Sequence, residues 1–141
     1  MIYAAFFVLS VAVCAVAFVR LAPFEADRWH QKPVTVEIGA VKGLNSYHVV
    51  QSAPDSGLQT LKKVILATPR TRLVAGGLED NIMTFETRTA LMGYPDYTTV
   101  ALVNGPDGSW LLSVNARARF GMSDLGVNEK RVRHWFALLD D

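Results

Sequence analysis

Apolar positions recur with three rhythms along this chain, and each predicts a different kind of element. Residues Met1 to Val19 carry no charged side chain, and Arg20 is the first charge. Coiled as a helix, that run reaches roughly 28 Å, close to the hydrocarbon thickness of a bilayer. Tyr3 near one end and Arg20 at the other suit the two interfaces. The run predicts a transmembrane helix, residues 1–20, that meets the lipid bilayer through residues 2–19. A cleaved signal peptide is the alternative, with Ala15-Val16-Ala17 resembling a cleavage site, although no Lys or Arg precedes Arg20. A lipoprotein signal at Cys14 would follow Val11-Ala12-Val13, a poor match.

Residues 21–33 contain Pro23, Trp29, His30 and Pro33 and read as a juxtamembrane linker. Trp29 suits either an interfacial anchor or packing on the domain's own core. From residue 34 to 141 the rhythm is that of an α+β globular domain. A period of two marks an edge strand at Val34–Ile38, a short strand at Tyr47–Val50, and strands at Thr71–Ala75, Ile82–Leu91, Tyr97–Val103 and Ser109–Phe120. Asn104-Gly105-Pro106-Asp107-Gly108 is a hairpin-loop signal between the last two. A period near four marks two amphipathic helices. The first runs Ser56–Ala67, with Leu58, Leu61 and Ile65 on one face, a Ser56/Gln59 capping box and Pro69 as its stop. The second runs Asn128–Leu139, with Val132, Trp135, Phe136 and Leu139 facing inward. Short connections make strands pair antiparallel. The expected fold is therefore a mainly antiparallel sheet of about four to six strands with both helices packed on one face.

Composition changes this picture only at its margins. Lys and Arg number 14 and Asp and Glu 13, so the near-zero net charge argues against nucleic acid as a partner. The single cysteine, Cys14, allows no intrachain disulfide and no CxxC site. No basic side chain precedes the apolar run, whereas Arg20, Arg28 and Lys32 follow it, so the positive-inside rule puts the domain on the cytoplasmic side.

Candidate chemistry gathers in one corner. The sequence has no Walker A run, no GxGxxG and no Gly-x-Ser-x-Gly elbow, and His30, His48 and His134 lack metal-ligand spacing, so no cofactor or metal is called for. A hairpin at residues 104–108 would carry Asp96 and Tyr97 to the segment Phe120–Ser123. That brings Asp96, Arg119, Ser123, Asp124, Asn128 and Arg131 within reach of one another. A structural corner is one reading, with Ser123, Asp124 or Asn128 capping the last helix and Asp124–Arg131 and Asp96–Arg119 as ion pairs. A pocket for a small anionic ligand at the helix start is the second. Acid–base work by the two carboxylates is the third. Separately, Arg88, Arg117 and Arg119 share the sheet face away from the helices, which suits either a solvated surface or anionic headgroups.

Arg70-Thr71-Arg72, Gly93-Tyr94-Pro95-Asp96-Tyr97 and the run from Arg117 to Arg131 resemble the bacterial and plastid family known as domain of unknown function 1499. Its pattern has an aromatic-Pro-Asp corner and an Arg-Ser-Arg-x-Gly-x-Ser-Asp-x-Gly-x-Asn-x-x-Arg run. Arg117, Arg119, Gly121, Ser123, Asp124, Gly126, Asn128 and Arg131 match it, while Ala118 replaces a serine and Tyr97 stands where an Asp is common. The resemblance implies a membrane-anchored protein of the bacterial inner membrane and supplies no catalytic residue. The expected function is a non-enzymatic binding or interaction module at the cell envelope, taking a protein partner or a small anion. The alternatives are a hydrolase-like enzyme using Asp96 and Asp124, and a module facing anionic lipid.

Overall fold

A computed structural model of the chain describes residues 1–33 and 36–139. Ten elements follow in order: α1 (Ile2–Leu21), α2 (Ala26–Trp29), β1 (Gly39–Lys42), β2 (Ser46–Ser52), α3 (Gly57–Leu66), β3 (Thr71–Gly77), β4 (Ile82–Arg88), β5 (Pro95–Asn104), β6 (Trp110–Ala118) and α4 (Val127–Ala137). The six strands form one antiparallel sheet in the order β1-β2-β6-β5-β4-β3. This is the expected α+β architecture. Strands β3 to β6 form a meander, whose short connections make neighbours in sequence neighbours in space, while β2 pairs with β6 across the whole of it.

Alternation sorts the side chains to two faces. Phe85, Val100, Leu112, Val114 and Ala116 point to the side covered by α3 and α4 and are fully buried with Leu61, Ile65, Val132 and Trp135. Close packing of that layer is what holds the helices down. The Trp135 indole N–H donates to Thr68 Oγ1 at 2.8 Å, tying α4 to the end of α3.

The opposite face is covered by the chain that leaves α1. Trp29 is buried, and its ring lies 4.8 Å from that of Tyr97 at a tilt of 41°. The Trp29 carbonyl accepts from Thr99 Oγ1 and from Arg117 Nη2, both at 2.7 Å. Thr99 spends its proton there, so Thr84 donates to Thr99 at 3.0 Å and the His30 Nδ1–H donates to Thr84 at 2.8 Å. Phe24 also packs on Tyr97, with ring centroids 5.2 Å apart. Residues 22–30 thus form a strap across the sheet. Of the two roles open to Trp29, the structure takes packing on the domain.

Local differences from the periodicity have physical reasons. The edge strand expected at Val34–Ile38 includes Val34 and Thr35, which lie outside the described residues, and the first strand begins at Gly39. Ser56 precedes α3 as expected but makes no side-chain cap bond. It sits at φ 60°, inside a turn closed by Gly57 N–H donating to the Pro54 carbonyl at 2.9 Å. Leu91, expected on the face of Met83 and Phe85, lies beyond the end of β4 in the exposed loop before β5.

Candidate functional site

The β6–α4 connection carries most of the candidate residues. Asp124 organises it. One carboxylate oxygen accepts from Gly126 N–H at 2.9 Å and the other from Asn128 N–H at 3.0 Å. Those are free donors at the start of α4, where the helix dipole also favours negative charge. Gly126 takes φ 76°, a left-handed turn that a side chain would strain, and this lets the loop swing into the helix. Ser123 Oγ accepts from Leu125 N–H at 3.1 Å, so it shapes the loop rather than capping the helix. The backbone of Asp124 is held in turn by the Leu44 carbonyl at 3.2 Å, and Lys42 meets Glu129 at 2.6 Å, which knits the β1–β2 turn to the same corner.

Arg131 exchanges its expected partner, Asp124, for Asp96, and the expected Asp96–Arg119 pair does not form. Arg131 meets Asp96, with Nη1 at 3.1 Å and Nη2 at 3.2 Å from Oδ2, and Nη1 also donates to Asn128 Oδ1 at 2.9 Å. Asp124 has no arginine partner among the described residues. Arg119 lies on the strap face, donating to the Pro23 carbonyl and to Tyr97 Oη at 3.3 Å, with Glu25 3.8 Å away. Strand register explains the exchange. Asp96 pairs with Ala118 and Tyr97 with Arg117, so Asp96 shares the helix face while Tyr97 shares the face of Arg117 and Arg119. Asp96, Ser123, Asp124, Asn128 and Arg131 are therefore brought together, and Arg119 is not.

Asp96 and Asp124 both line a small cavity of about 180 Å³ with Tyr94, Phe120 and Ser123. Their protonation is pushed in opposite directions. Burial raises the Asp96 carboxyl above its ordinary value, with Arg131 opposing and the Asp124 charge reinforcing the rise. Burial also acts upward on Asp124, but the Asn128 and Gly126 N–H groups outweigh it and hold this carboxyl below its ordinary value. A depressed native pKa means that stability is present above the unfolded value of 3.8 and is lost as pH falls through the native one. Asp124→Asn removes the charge and turns one of the two accepting oxygens into an amide nitrogen that cannot accept. We expect it to cost about 1 kcal/mol at neutral pH and to flatten the acid limb of a stability-against-pH curve measured by urea unfolding.

A second cluster, of arginines, lies at the β3–β4 edge. Arg72 and Arg88 converge on Glu86, whose Oε1 accepts from their Nε atoms at 3.0 and 2.9 Å. Arg70 and Arg20 stand beside them around an open cleft of about 640 Å³. Sequence reasoning placed Arg88 on this face but did not gather Arg20, Arg70 and Arg72 with it. The signal is the Arg70-Thr71-Arg72 triplet, in which the two arginines alternate with a threonine at the start of a strand.

Comparison with curated proteins finds no match for the chain. A family model described as a protein of unknown function, DUF1499, matches residues 26–139, beginning at the first residue of α2 and so taking in most of the strap as well as the sheet and both covering helices. The chain belongs to the DUF1499 family.

Proposed function

We propose that this chain is a single-pass membrane protein whose folded domain is a non-enzymatic binding module, held with one end of its sheet against the cytoplasmic surface of the bacterial inner membrane. The observation that carries this reading is where α1 meets the domain. Arg20, in the last turn of α1, donates to the Met92 and Leu91 carbonyls at 3.2 Å each, and Phe18 packs edge-on against Phe120 with centroids 6.2 Å apart. The helix end is thereby fastened to the β4–β5 and β6–α4 loops. Those loops and the β1–β2 turn share one end of the sheet. The same end holds the most exposed large apolar side chains of the domain: Leu44 at 78 %, Leu91 at 84 %, Met122 at 88 % and Leu125 at 86 %.

Apolar side chains set out in water at the foot of a hydrophobic helix gain by entering the acyl boundary, at about 25 cal/mol per Å² removed from water. The opposite loops, such as Leu78–Asn81, end in polar residues. Binding rather than catalysis is supported by how the two carboxylates are engaged. Asp96 is committed to Arg131, and both Asp124 oxygens are committed to the backbone of α4.

The test places single cysteines at Met122 or Leu91, and at Asp80 on the far end, in a Cys14→Ser background. With the full chain in lipid nanodiscs, fluorophores at Met122 and Leu91 should be quenched by spin-labelled lipid several-fold more than one at Asp80. In intact bacteria the Asp80 cysteine should resist a membrane-impermeant maleimide. Equal quenching at both ends would sink the membrane-facing orientation, and ready labelling would sink the cytoplasmic one.

A further inference from the structure

Four guanidinium groups, those of Arg20, Arg70, Arg72 and Arg88, line the open cleft beside the end of α1, and a single carboxylate, Glu86, lies among them. Glu86 is fully engaged. Besides the two Nε contacts, its Oε2 accepts from Arg88 Nη2 at 3.1 Å. Burial pushes its carboxyl up, but Arg88 and Arg72 outweigh that and keep it below the ordinary range, so it counts as one full negative charge. Three positive charges remain without a countercharge in the cleft lining.

Arg72 and Arg88 share the one Glu86 carboxylate, and Arg20 and Arg70 are held by neutral carbonyls rather than neutralised. Arg70 Nε donates to the Arg88 carbonyl at 3.0 Å, Arg88 Nη1 to the Gly93 carbonyl at 2.9 Å, and Arg20 to the loop carbonyls already described. These bonds fix the planes of the guanidinium forks and leave their charge. Among the described residues, both Nη atoms of Arg70 and of Arg72 lack a hydrogen-bond partner. Gly93 makes the arrangement possible, because it takes φ 70° and a Cβ there would come within 3.0 Å of Arg20 Nε. Like charges collected with oriented, unused donors repel one another unless an anion joins them; a guanidinium fork matches carboxylate or phosphate oxygens, and several forks around one cleft suit the anion with more than two oxygens to share among them. The cleft also has room for a group carried on that anion.

We propose that this cleft binds a phosphate group, with Arg70 and Arg72 donating to its oxygens and Arg20 and Arg88 supplying the surrounding charge. The phosphate belongs either to a soluble phosphate monoester or to the headgroup of an anionic phospholipid. The headgroup source rests on the membrane reading given above; the soluble source does not.

The experiment follows modification of Arg70 and Arg72 by phenylglyoxal, read by mass spectrometry, with the full chain in nanodiscs. In discs of phosphatidylcholine, protection by added glycerol phosphate identifies the soluble source. Protection on replacing part of that lipid by phosphatidylglycerol, with none from glycerol phosphate, identifies the headgroup. Either way, modification should slow about tenfold, as expected for charge-assisted bonds. Arg70→Gln with Arg72→Gln should weaken glycerol phosphate or phosphatidylglycerol capture, whichever source protects, by about a hundredfold, with the far-UV spectrum unchanged. No protection in either arm, or undiminished binding by the double variant, overturns the proposal. The depth measurement at Met122 is independent. Shallow Met122 with protection by glycerol phosphate would fail the membrane reading and leave the phosphate site standing.

Discussion

Replacing Arg131 by alanine is expected to cost about 3–5 kcal/mol of folding stability at neutral pH, because it strands a buried carboxylate. Asp96 is only 5 % exposed, and Arg131 is its ion-pair partner at 3.1 Å. The same change leaves Asn128 Oδ1 without its donor in a residue that is fully buried. The pH dependence tests the cause. Burial already raises the native Asp96 carboxyl above the unfolded value of 3.8, and Arg131 is what opposes that rise. Without the arginine the native value climbs further. A group with a raised native value contributes stability below its unfolded value and loses it as pH rises through the native one. The penalty of Arg131→Ala should therefore be small in acid, below pH 3.8, and grow toward neutrality. Urea unfolding of both proteins across that range measures it. A penalty independent of pH would mean that lost packing, not the stranded charge, carries the effect. If Arg131 instead served chiefly to capture a ligand, its loss would leave stability within about 0.5 kcal/mol of the parent, as for ordinary surface changes.

How far the corner was legible follows from register. The stripes Leu58–Leu61–Ile65 and Val132–Trp135, and the alternation of β6, carry enough information to place both helices on one face of an antiparallel sheet. The hairpin signal at residues 104–108 gathers six candidate residues, of which the structure brings five together and carries Arg119 to the strap face. The choice of ion pair needs one further datum, that Asp96 stands opposite Ala118 rather than Arg119, and a slip of one residue would have reversed it. Composition and spacing do not set that register; the loop between the strands does. The arginine cleft was hidden for a different reason. Its members come from the end of α1, the start of β3 and the end of β4, and only the sheet edge and the packing of the end of α1 against it bring them together. The strap was hidden because a short segment with one proline and a tryptophan has no period to read. Its hold on the sheet comes from single contacts, not from a repeating face.

That hold leads to the second large effect. Trp29→Ala should destabilise the domain by about 3–5 kcal/mol, the range for removing a buried aromatic ring. The ring is 4 % exposed, stacks on Tyr97, and lies under the Arg117 guanidinium at 5.0 Å from its centroid. Its loss opens a void between strap and sheet where both Tyr97 and Arg117 lose a partner. Two controls separate packing from other causes. The indole N–H is buried without a hydrogen-bond partner among the described residues, so Trp29→Phe sheds an unpaired donor while keeping a ring, and should cost much less. The backbone bonds from Thr99 and Arg117 to the carbonyl of residue 29 do not depend on the side chain, so the strap in Trp29→Ala should loosen rather than leave. Amide exchange at residues 26–30 should then speed up more than exchange in the β5–β6 ladder. Were Trp29 an interfacial anchor instead, the alanine variant would keep its unfolding midpoint and lose only membrane depth. Because the strap is the stretch of chain between α1 and the sheet, loosening it also uncouples the helix end from the strands that carry Tyr97 and Arg117. Arg20 and Phe18 would then be left as the contacts joining α1 to the β4–β5 and β6–α4 loops.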